Sequence, residues 1–312
     1  MHWPKPAALF ARAAIRAYKL LIEKFRSLQL LVLLPRAHAV MVIKYCPNWL
    51  MPLIHRQARG RVLYDFDDPM WLPSFIGEES FKHLVSHADY VSTDNSLMLR
   101  KVGALHPRSF VVRGPSQIEV FEAHAALRPS GLQSSSPVVG WVGSQSTLPY
   151  LDRVIPALRA LHAQGLDFVF RVVGAGRADL SERLQGIPFE VVDYYDQSRM
   201  VAEVQGFDIG LFPLFEDELS LFRGTLKARI YMSGGVPVLA SDVGLMRELI
   251  CDGKNGLLVA KPQEWEEKIK MLLTDAQLRK KIGEAGRLTV SENYRLHHSF
   301  EDLKKGFFDE LC

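Results

Sequence analysis

One segment in the last third of the chain, between an apolar strand-like run and the start of a helix, contains charged residues of both signs. The apolar run is IGLF at 209–212. After it come Glu216, Asp217 and Glu218, followed by Arg223, Gly224, Thr225 and Lys227. A helix start exposes unpaired backbone N–H groups and the positive end of the helix dipole. With a glycine and two cations beside it, such a start would hold a diphosphate without a metal. The alternative is a solvated charged loop that only caps the helix.

A second group of charged residues stands at the end of an earlier strand. The strand-like run 61–66 contains Asp65 and is followed by Asp67 and Asp68, directly before Pro69. Carboxylates this close repel one another and raise each other's pKa. The sequence therefore suggests a function at the carboxyl end of this strand. The alternative is structural, with Asp68 capping a turn before Pro69.

Strand-like and helix-like segments alternate through most of the chain, which indicates parallel sheets with crossover helices. Ligands bind outside the carboxyl ends of the strands in such sheets. The strand-like run 138–142 leads into the small residues of 143–147, and a turn of this kind lets a phosphate approach the backbone closely. The GxG at 174–176 lacks the third glycine of a dinucleotide fingerprint, so it predicts only a tight turn.

Four stretches of the chain match the motifs of a known family. RGTLKARIYMSGGVPVLASDVG at 223–244, followed by ICDGKNGLLV at 250–259, resembles the donor-binding half of family 4 (group 1) glycosyltransferases of the GT-B fold. YDFDDPMW at 64–71 and GWVGSQSTLPYLD at 140–152 are similar to the Asp-x-Asp-Asp and Gly-Trp-x-Gly-Ser motifs of one subgroup. The resemblance implies an α/β, GT-B-like fold. Two Rossmann-type domains are expected, with a reduced N-terminal domain and a C-terminal helix that crosses back toward it.

The resemblance also implies an activity and a role for each candidate residue. The expected enzyme is a retaining, metal-independent glycosyltransferase without a cofactor, whose donor substrate is a nucleotide diphosphate sugar. Asp67 is the candidate base, while Arg223 and Lys227 would stabilise the leaving diphosphate. The expected donor-binding residues are Gly143, Ser144, Tyr194, Glu216, Asp217, Gly224 and Thr225, and the expected acceptor-side residues are Asp65 and Asp68.

The chain departs from the family pattern at two acidic positions. Where relatives carry a glutamate that holds the donor ribose, this chain has Ile230, and the partner glutamate falls near Phe222. Glu216, Asp217 or Glu218 would then substitute for one of the missing acids. The alternative function is a catalytically inactive, glycosyltransferase-like scaffold or partner subunit. A GT-B epimerase or hydrolase is a third reading, which no dedicated water-activating base supports.

Composition sets limits on the other classes of function. With 312 residues, 48% hydrophobic and 23% charged, the chain has room for two globular domains. A net charge of +3 and a pI near 8.7 are too small an excess to indicate nucleic-acid binding. Cys46, Cys251 and Cys312 have neither zinc-ligand spacing nor a disulfide pattern, and the histidines form no metal-ligand motif. A reducing cytosol is the expected compartment.

The expected domain organisation begins with a basic amphipathic helix. This helix could lie on an anionic membrane surface, or pack on its own domain. The apolar run at 30–34 is too short to span a bilayer. We therefore expect a cytoplasmic protein, with a peripheral position at the inner membrane face and a polysaccharide, glycolipid or lipid-linked acceptor as hypotheses. The expected divisions are the helix at 1–34, an acceptor-side domain at 35–127, a linker at 128–137, a donor-binding domain at 138–294 and a C-terminal helix at 295–312.

Several helix boundaries can also be predicted. Asp94 is expected to cap a helix over 95–102, and Thr274 a helix over 275–282. The final helix is expected over 298–311, with its apolar side buried to differing degrees. That side consists of Phe300, Leu303, Phe307, Phe308 and Leu311.

Overall fold

The computed structural model divides the chain into two compact units. It describes residues 33–58, 61–124, 136–176, 180–193 and 197–309. Unit 1 contains the residues up to Thr93, Leu99–Phe110 and the residues from Phe307, whereas unit 2 contains Asp94–Met98 and Val111–Gly306. The expected N-terminal helix, most of the expected linker and Tyr194 lie outside the described residues.

Unit 1 is built on a four-stranded sheet whose strand order follows the chain, β1-β2-β3-β4. The first three strands pair in parallel. Rings from α2 and β2 form the centre of the core: Phe81 lies 5.3 Å from Phe66 and 6.4 Å from Tyr64, measured between ring centroids. The elements are β1 Val40–Ile43, α1 Met51–Ala58, β2 Val62–Phe66, α2 Glu78–Ser86, β3 Tyr90–Thr93, α3 Ser96–Gly103, whose first residues belong to unit 2, and β4 Ser109–Val111.

Unit 2 is built on a six-stranded parallel sheet of order β10-β9-β8-β5-β6-β7. From β5 the chain adds strands in one direction and then returns to add β8 on the other side, so the order reverses between β5 and β8. Ligands of doubly wound sheets bind at such a reversal. The strands are β5 Val138–Val142, β6 Val169–Val173, β7 Phe189–Val192, β8 Ile209–Phe212, β9 Val238–Ser241 and β10 Leu257–Val259.

Helices cover the unit 2 sheet, and apolar clusters fill the space between. One cluster contains Trp141, Phe170 and Trp265, and the other contains Phe207 and Tyr231. This arrangement confirms the predicted α/β fold class. The helices are α4 Ile118–Ala123, α5 Ile155–Ala163, α6 Leu180–Arg183, α7 Gln197–Gln205, α8 Glu218–Phe222, α9 Leu226–Ser233, α10 Met246–Leu249, α11 Glu264–Thr274, α12 Ala276–Asn293 and α13 Leu296–Leu303, with a 3-10 helix at Gln145–Arg153 and a π-helix at Lys304–Phe308.

Two predicted helix caps were wrong by one residue. Asn95, and not Asp94, caps α3, because its side-chain oxygen accepts a hydrogen bond from the Met98 amide at 2.8 Å. Asp275, and not Thr274, caps α12 by accepting from the Leu278 amide. The Thr274 hydroxyl instead donates to the Lys270 carbonyl within the preceding helix.

The end of the chain differs from the predicted single helix. α12 continues to Asn293, α13 covers only Leu296–Leu303, and a π-helical turn follows. This change of helix type rotates the later side chains relative to the earlier ones. Phe307, which packs on Tyr90, is buried at 2% exposure, while Phe300 is 57% exposed. Within the described ranges, no helix is long and apolar enough to cross a membrane.

Candidate functional site

Lys227 is the centre of the candidate donor site in unit 2. It lies in the first turn of α9, and its Nζ is 3.4 Å from the Thr147 hydroxyl and 5.1 Å from the centroid of the Trp141 ring. Burial, together with the nearby charge of Arg223, lowers the pKa of Lys227 from 10.5 to about 8. Among the described residues, no carboxylate forms an ion pair with this ammonium group. A largely buried cation without a carboxylate partner is costly unless an anion binds beside it.

Arg223 supplies a second positive charge at the same helix start. It follows α8, and its guanidinium lies 5.2 Å from the centroid of the Tyr150 ring. Tyr150 in turn packs against Phe215 with 5.0 Å between ring centroids. Arg223 also forms no ion pair with a carboxylate in the part of the chain that the structure describes. The two cations and the start of α9 therefore form a positively charged site suited to a diphosphate.

Gly143 and Ser144 lie beside Trp141 and Thr147, which contact Lys227, but their amides are already hydrogen-bonded. The Gly143 amide donates to the Val173 carbonyl at 2.9 Å, and the Ser144 amide donates to the Thr147 hydroxyl at 3.1 Å. Gly143 is required here by packing, because a Cβ at this position would lie 2.1 Å from the Trp141 ring. These two residues therefore support the groups around Lys227, and the expected diphosphate contact through their amides is not available in this arrangement.

The acidic residues before α9 are used in local structure. Asp217 caps α8 by accepting from the Ser220 amide at 2.7 Å, so the segment between β8 and α9 contains a short helix. Glu216 is exposed and pairs with Arg153 at 3.2 Å. The capping role of Asp217 explains its position without a ligand, because capping carboxylates stabilise helix starts.

Gly224 and Thr225 connect α8 to α9. Thr225 is the buried N-cap residue of α9, and its side chain makes no capping hydrogen bond. A Cβ on Gly224 would lie 2.9 Å from Oδ2 of Asp94. Glycine at this position therefore lets an acidic side chain of unit 2 approach the start of α9.

Ile230 is part of the apolar core. It is 8% exposed and belongs to the same cluster as Tyr231. The Tyr231 hydroxyl accepts a hydrogen bond from the Val142 amide at 2.8 Å, which ties α9 to the end of β5. Sequence reasoning did not assign this role to Tyr231, or the roles of Trp141 and Tyr150 beside the two cations. Aromatic residues in a buried strand or helix give no signal that distinguishes these roles from ordinary packing.

The candidate acceptor-side residues form a separate group in unit 1. Asp65 accepts a hydrogen bond from the Ser92 hydroxyl. Burial is the main cause that raises its pKa, and the nearby charge of Asp67 adds to the effect. Sequence reasoning named the repulsion between carboxylates and missed the larger contribution of burial.

Lys44 is the partner that the sequence did not reveal for Asp67 and Asp68. Its Nζ lies 2.6 Å from Oδ1 of Asp67 and 2.7 Å from Oδ2 of Asp68. Burial alone would lower the pKa of Lys44, but the hydrogen bonds and charges of the two aspartates raise it. The suggested turn cap at Asp68 is not made by its side chain, which binds Lys44, while its backbone carbonyl accepts from the Met70 amide.

Lys44 holds this position through its backbone as well. Its φ angle is +59°, a left-handed conformation that non-glycine residues rarely adopt. The Lys44 amide donates to the Asp65 carbonyl at 2.8 Å, and the Lys44 carbonyl accepts from the Tyr64 hydroxyl at 2.9 Å.

Across the described ranges, no group of three or more histidine, cysteine or acidic side chains is arranged to hold a metal ion.

Comparison with known proteins agrees with the geometry of unit 2. Residues 136–275 match the family described as "Glycosyl transferases group 1". The chain is 24% identical over 268 residues to D-inositol 3-phosphate glycosyltransferase of Nocardia farcinica, a match that covers 76% of this chain and 56% of that protein. The chain therefore spans little more than half the length of this relative.

Solved structures share the fold over most of the chain. Anabaena HepE in complex with UDP gives a TM-score of 0.68 at 15% identity, with 91% of this chain and 82% of that chain covered. A glycosyltransferase from Rickettsia africae gives a TM-score of 0.71 at 17% identity, with 93% and 80% covered. These structures support a GT-B architecture. Residues 136–275 therefore resemble group 1 glycosyltransferases, and the fold of the chain is similar to that of solved GT-B glycosyltransferases.

Proposed function

We propose that this protein transfers a sugar from a nucleotide diphosphate sugar to an acceptor, as a retaining, metal-independent transferase of family 4. The observation that carries the proposal is the pair of cations, Arg223 and Lys227, which have no ion-pairing carboxylate among the described residues and stand at the start of α9. A relative of the same fold was solved in complex with UDP. This supports a nucleotide diphosphate as the group that the two cations bind.

The proposed mechanism uses these residues to stabilise the leaving group. As the bond between the sugar and the diphosphate breaks, negative charge develops on the diphosphate oxygens. Donors already positioned at those oxygens are each worth about 3 kcal/mol. Lys227 and Arg223 would supply the charge, while Thr147 and Trp141 hold the ammonium group in place. Front-face transfer to the acceptor, with retention at the sugar, is part of the same proposal.

On the acceptor side we assign Asp65, Asp67 and Asp68. Asp67 is the proposed base, and Lys44 orients both it and Asp68. The proposed acceptor is a polysaccharide, a glycolipid or a lipid-linked glycan at the inner face of the cell membrane, with the cations of residues 5–34 at the lipid surface. Co-sedimentation with anionic liposomes, before and after charge reversal of Arg12, Arg16 and Lys19, tests the membrane part; equal pelleting of both proteins contradicts it.

The alternative function is a glycosyltransferase-like scaffold without activity. The observation that favours it is Ile230, which lies in the core where the family carries a ribose-binding acid. Calorimetric titration with UDP and with GDP separates the two functions. Binding of either nucleotide favours the enzyme, whereas a protein that binds no nucleotide fits the scaffold.

A further inference from the structure

The unit 1 sheet has one face that its crossover helices do not cover. Strand order follows chain order, and each strand is joined to the next by a helical crossover. Because β1, β2 and β3 pair in parallel and such crossovers are right-handed, α1 and α2 pack on the same face. Phe81 of α2 identifies that face, since it packs on the rings of Tyr64 and Phe66.

Side chains that alternate with Tyr64 and Phe66 point to the opposite face, which we call the open face. The strand register aligns Met41 with Leu63, and Leu63 with Tyr90. The open face is therefore formed by Met41 and Ile43 of β1, Leu63 and Asp65 of β2, and Tyr90 and Ser92 of β3.

The C-terminal segment covers part of the open face at β3. Phe307 packs on Tyr90 with 5.2 Å between ring centroids, and both residues are buried. At β1 the same face is exposed: Ile43 has 60% and Met41 has 41% of its surface accessible. Parallel sheets normally have both faces covered, so a further covering segment is expected at β1.

We propose that residues 5–32 of this same chain dock on the open face at β1. They directly precede the described part of the chain, and only 33–39 separate them from the first residue of β1. In helical spacing, the apolar residues Phe10, Ala14, Ala17, Leu21, Phe25 and Leu28 fall on one side. A helix of that length would extend about 40 Å, which exceeds the roughly 13 Å length of a four-residue strand.

Most basic residues of the same segment fall on the side opposite the apolar stripe, whereas Lys24 falls about 60° from its centre. Arg12, Arg16, Lys19 and Arg26 lie about 180° from its centre at 100° per residue. Docking by the apolar stripe would leave these cations facing solvent. In this docking the apolar side contacts the sheet. Any attraction of the segment to anionic lipid would therefore be electrostatic.

Point variants in the full chain test the docking through stability. Ile43→Asp, Leu21→Asp and the double variant are compared with Leu105→Asp, a control in unit 1 whose side chain is 42% exposed. If residues 5–32 cover β1, Ile43→Asp lowers Tm by about 5 °C and more than the control, although Ile43 is the more exposed residue in the described structure. The double variant then loses little more than either single variant, because each change breaks the same contact.

Chemical labelling provides a second readout that does not depend on stability. A thiol introduced as Ile43→Cys should react with a maleimide at least tenfold more slowly than one introduced as Leu105→Cys. Equal labelling rates, or additive Tm losses at positions 21 and 43, overturn the proposal. The proposal is also overturned if the thiol at position 43 is protected only when liposomes are present, or only at concentrations where the protein dimerises. The open face would then be covered by lipid or by a second copy of the chain.

Discussion

Replacing Gly143 by alanine tests whether the packing around Lys227 determines nucleotide binding. The new Cβ would lie 2.1 Å from the Trp141 ring and 2.8 Å from the Thr147 hydroxyl. Ordinary carbon contacts are about 3.5–4.0 Å, so the overlap is about 1.5 Å and neither neighbour can remain in place. Overpacking of this kind costs about 1–3 kcal/mol. For 2 kcal/mol we expect Tm to fall by about 4–8 °C.

The same change should weaken nucleotide binding, because Trp141 and Thr147 hold the Lys227 ammonium group. Loss of one charge-assisted hydrogen bond costs about 1.5–3 kcal/mol, which corresponds to an increase in Kd of about 10–100-fold. Calorimetric titration with UDP or GDP, whichever the wild type binds, measures this change. Gly103→Ala is the control, since its Cβ would make an ordinary 3.7 Å contact with Ser109. A Gly143→Ala protein with wild-type Tm and Kd would show that packing around Gly143 does not position Lys227.

Three further predictions concern charge and packing. Burial lowers the pKa of Lys227 to about 8, below its unfolded value of 10.5, so the buried charge destabilises the folded protein fully below pH 8 and progressively less as pH rises toward 10.5. In urea unfolding, Lys227→Met should therefore be more stable than wild type at pH 7 by about 1–2 kcal/mol after solvent screening. This difference in stability should be gone near pH 10.5. Lys44→Met removes the partner of Asp67 and Asp68 and should lower acceptor-dependent turnover about tenfold, with unchanged nucleotide Kd. The control variant Lys44→Arg should keep most of the turnover. Equal turnover of both variants and wild type would count against the role assigned to Lys44. Phe307→Ala should lower the free energy of unfolding by about 3 kcal/mol, measured by thermal unfolding, because the Phe307 ring is buried on Tyr90. Phe300→Ala, at an exposed position, should change the free energy of unfolding by less than about 0.5 kcal/mol. Similar losses at both positions would contradict the observed burial.

The sequence predicted the sheet of unit 2 well because its strands are short apolar runs followed by turn residues. Val138–Val142 and Ile209–Phe212 are fully buried strands, so burial on both faces removes any polar alternation and leaves a clear apolar signal. The positions of Arg223 and Lys227 at the start of α9 followed from the same pattern. The α/β class and the charged helix start could therefore be predicted from local sequence.

Other features depend on contacts that local sequence does not contain. Lys44 is more than 20 residues from Asp67 and Asp68 along the chain, and parallel pairing of β1 with β2 is what brings them together. The short helices Met51–Ala58, Ile118–Ala123 and Glu218–Phe222 were not predicted, because eight residues or fewer give too little periodicity to recognise. The caps were misplaced because two adjacent residues in each case can act as caps, and only the fold decides between them.

Binding of a nucleoside diphosphate compared with its nucleoside tests whether Lys227 and Arg223 hold a diphosphate. Calorimetry should measure Kd for UDP and uridine, or GDP and guanosine, with wild type, Lys227→Met and the exposed-lysine control Lys261→Ala. We predict that Lys227→Met weakens diphosphate binding about 10–100-fold, leaves nucleoside binding unchanged, and that the control behaves as wild type. Equal affinity of wild type and Lys227→Met for the nucleoside diphosphate would contradict the proposed site.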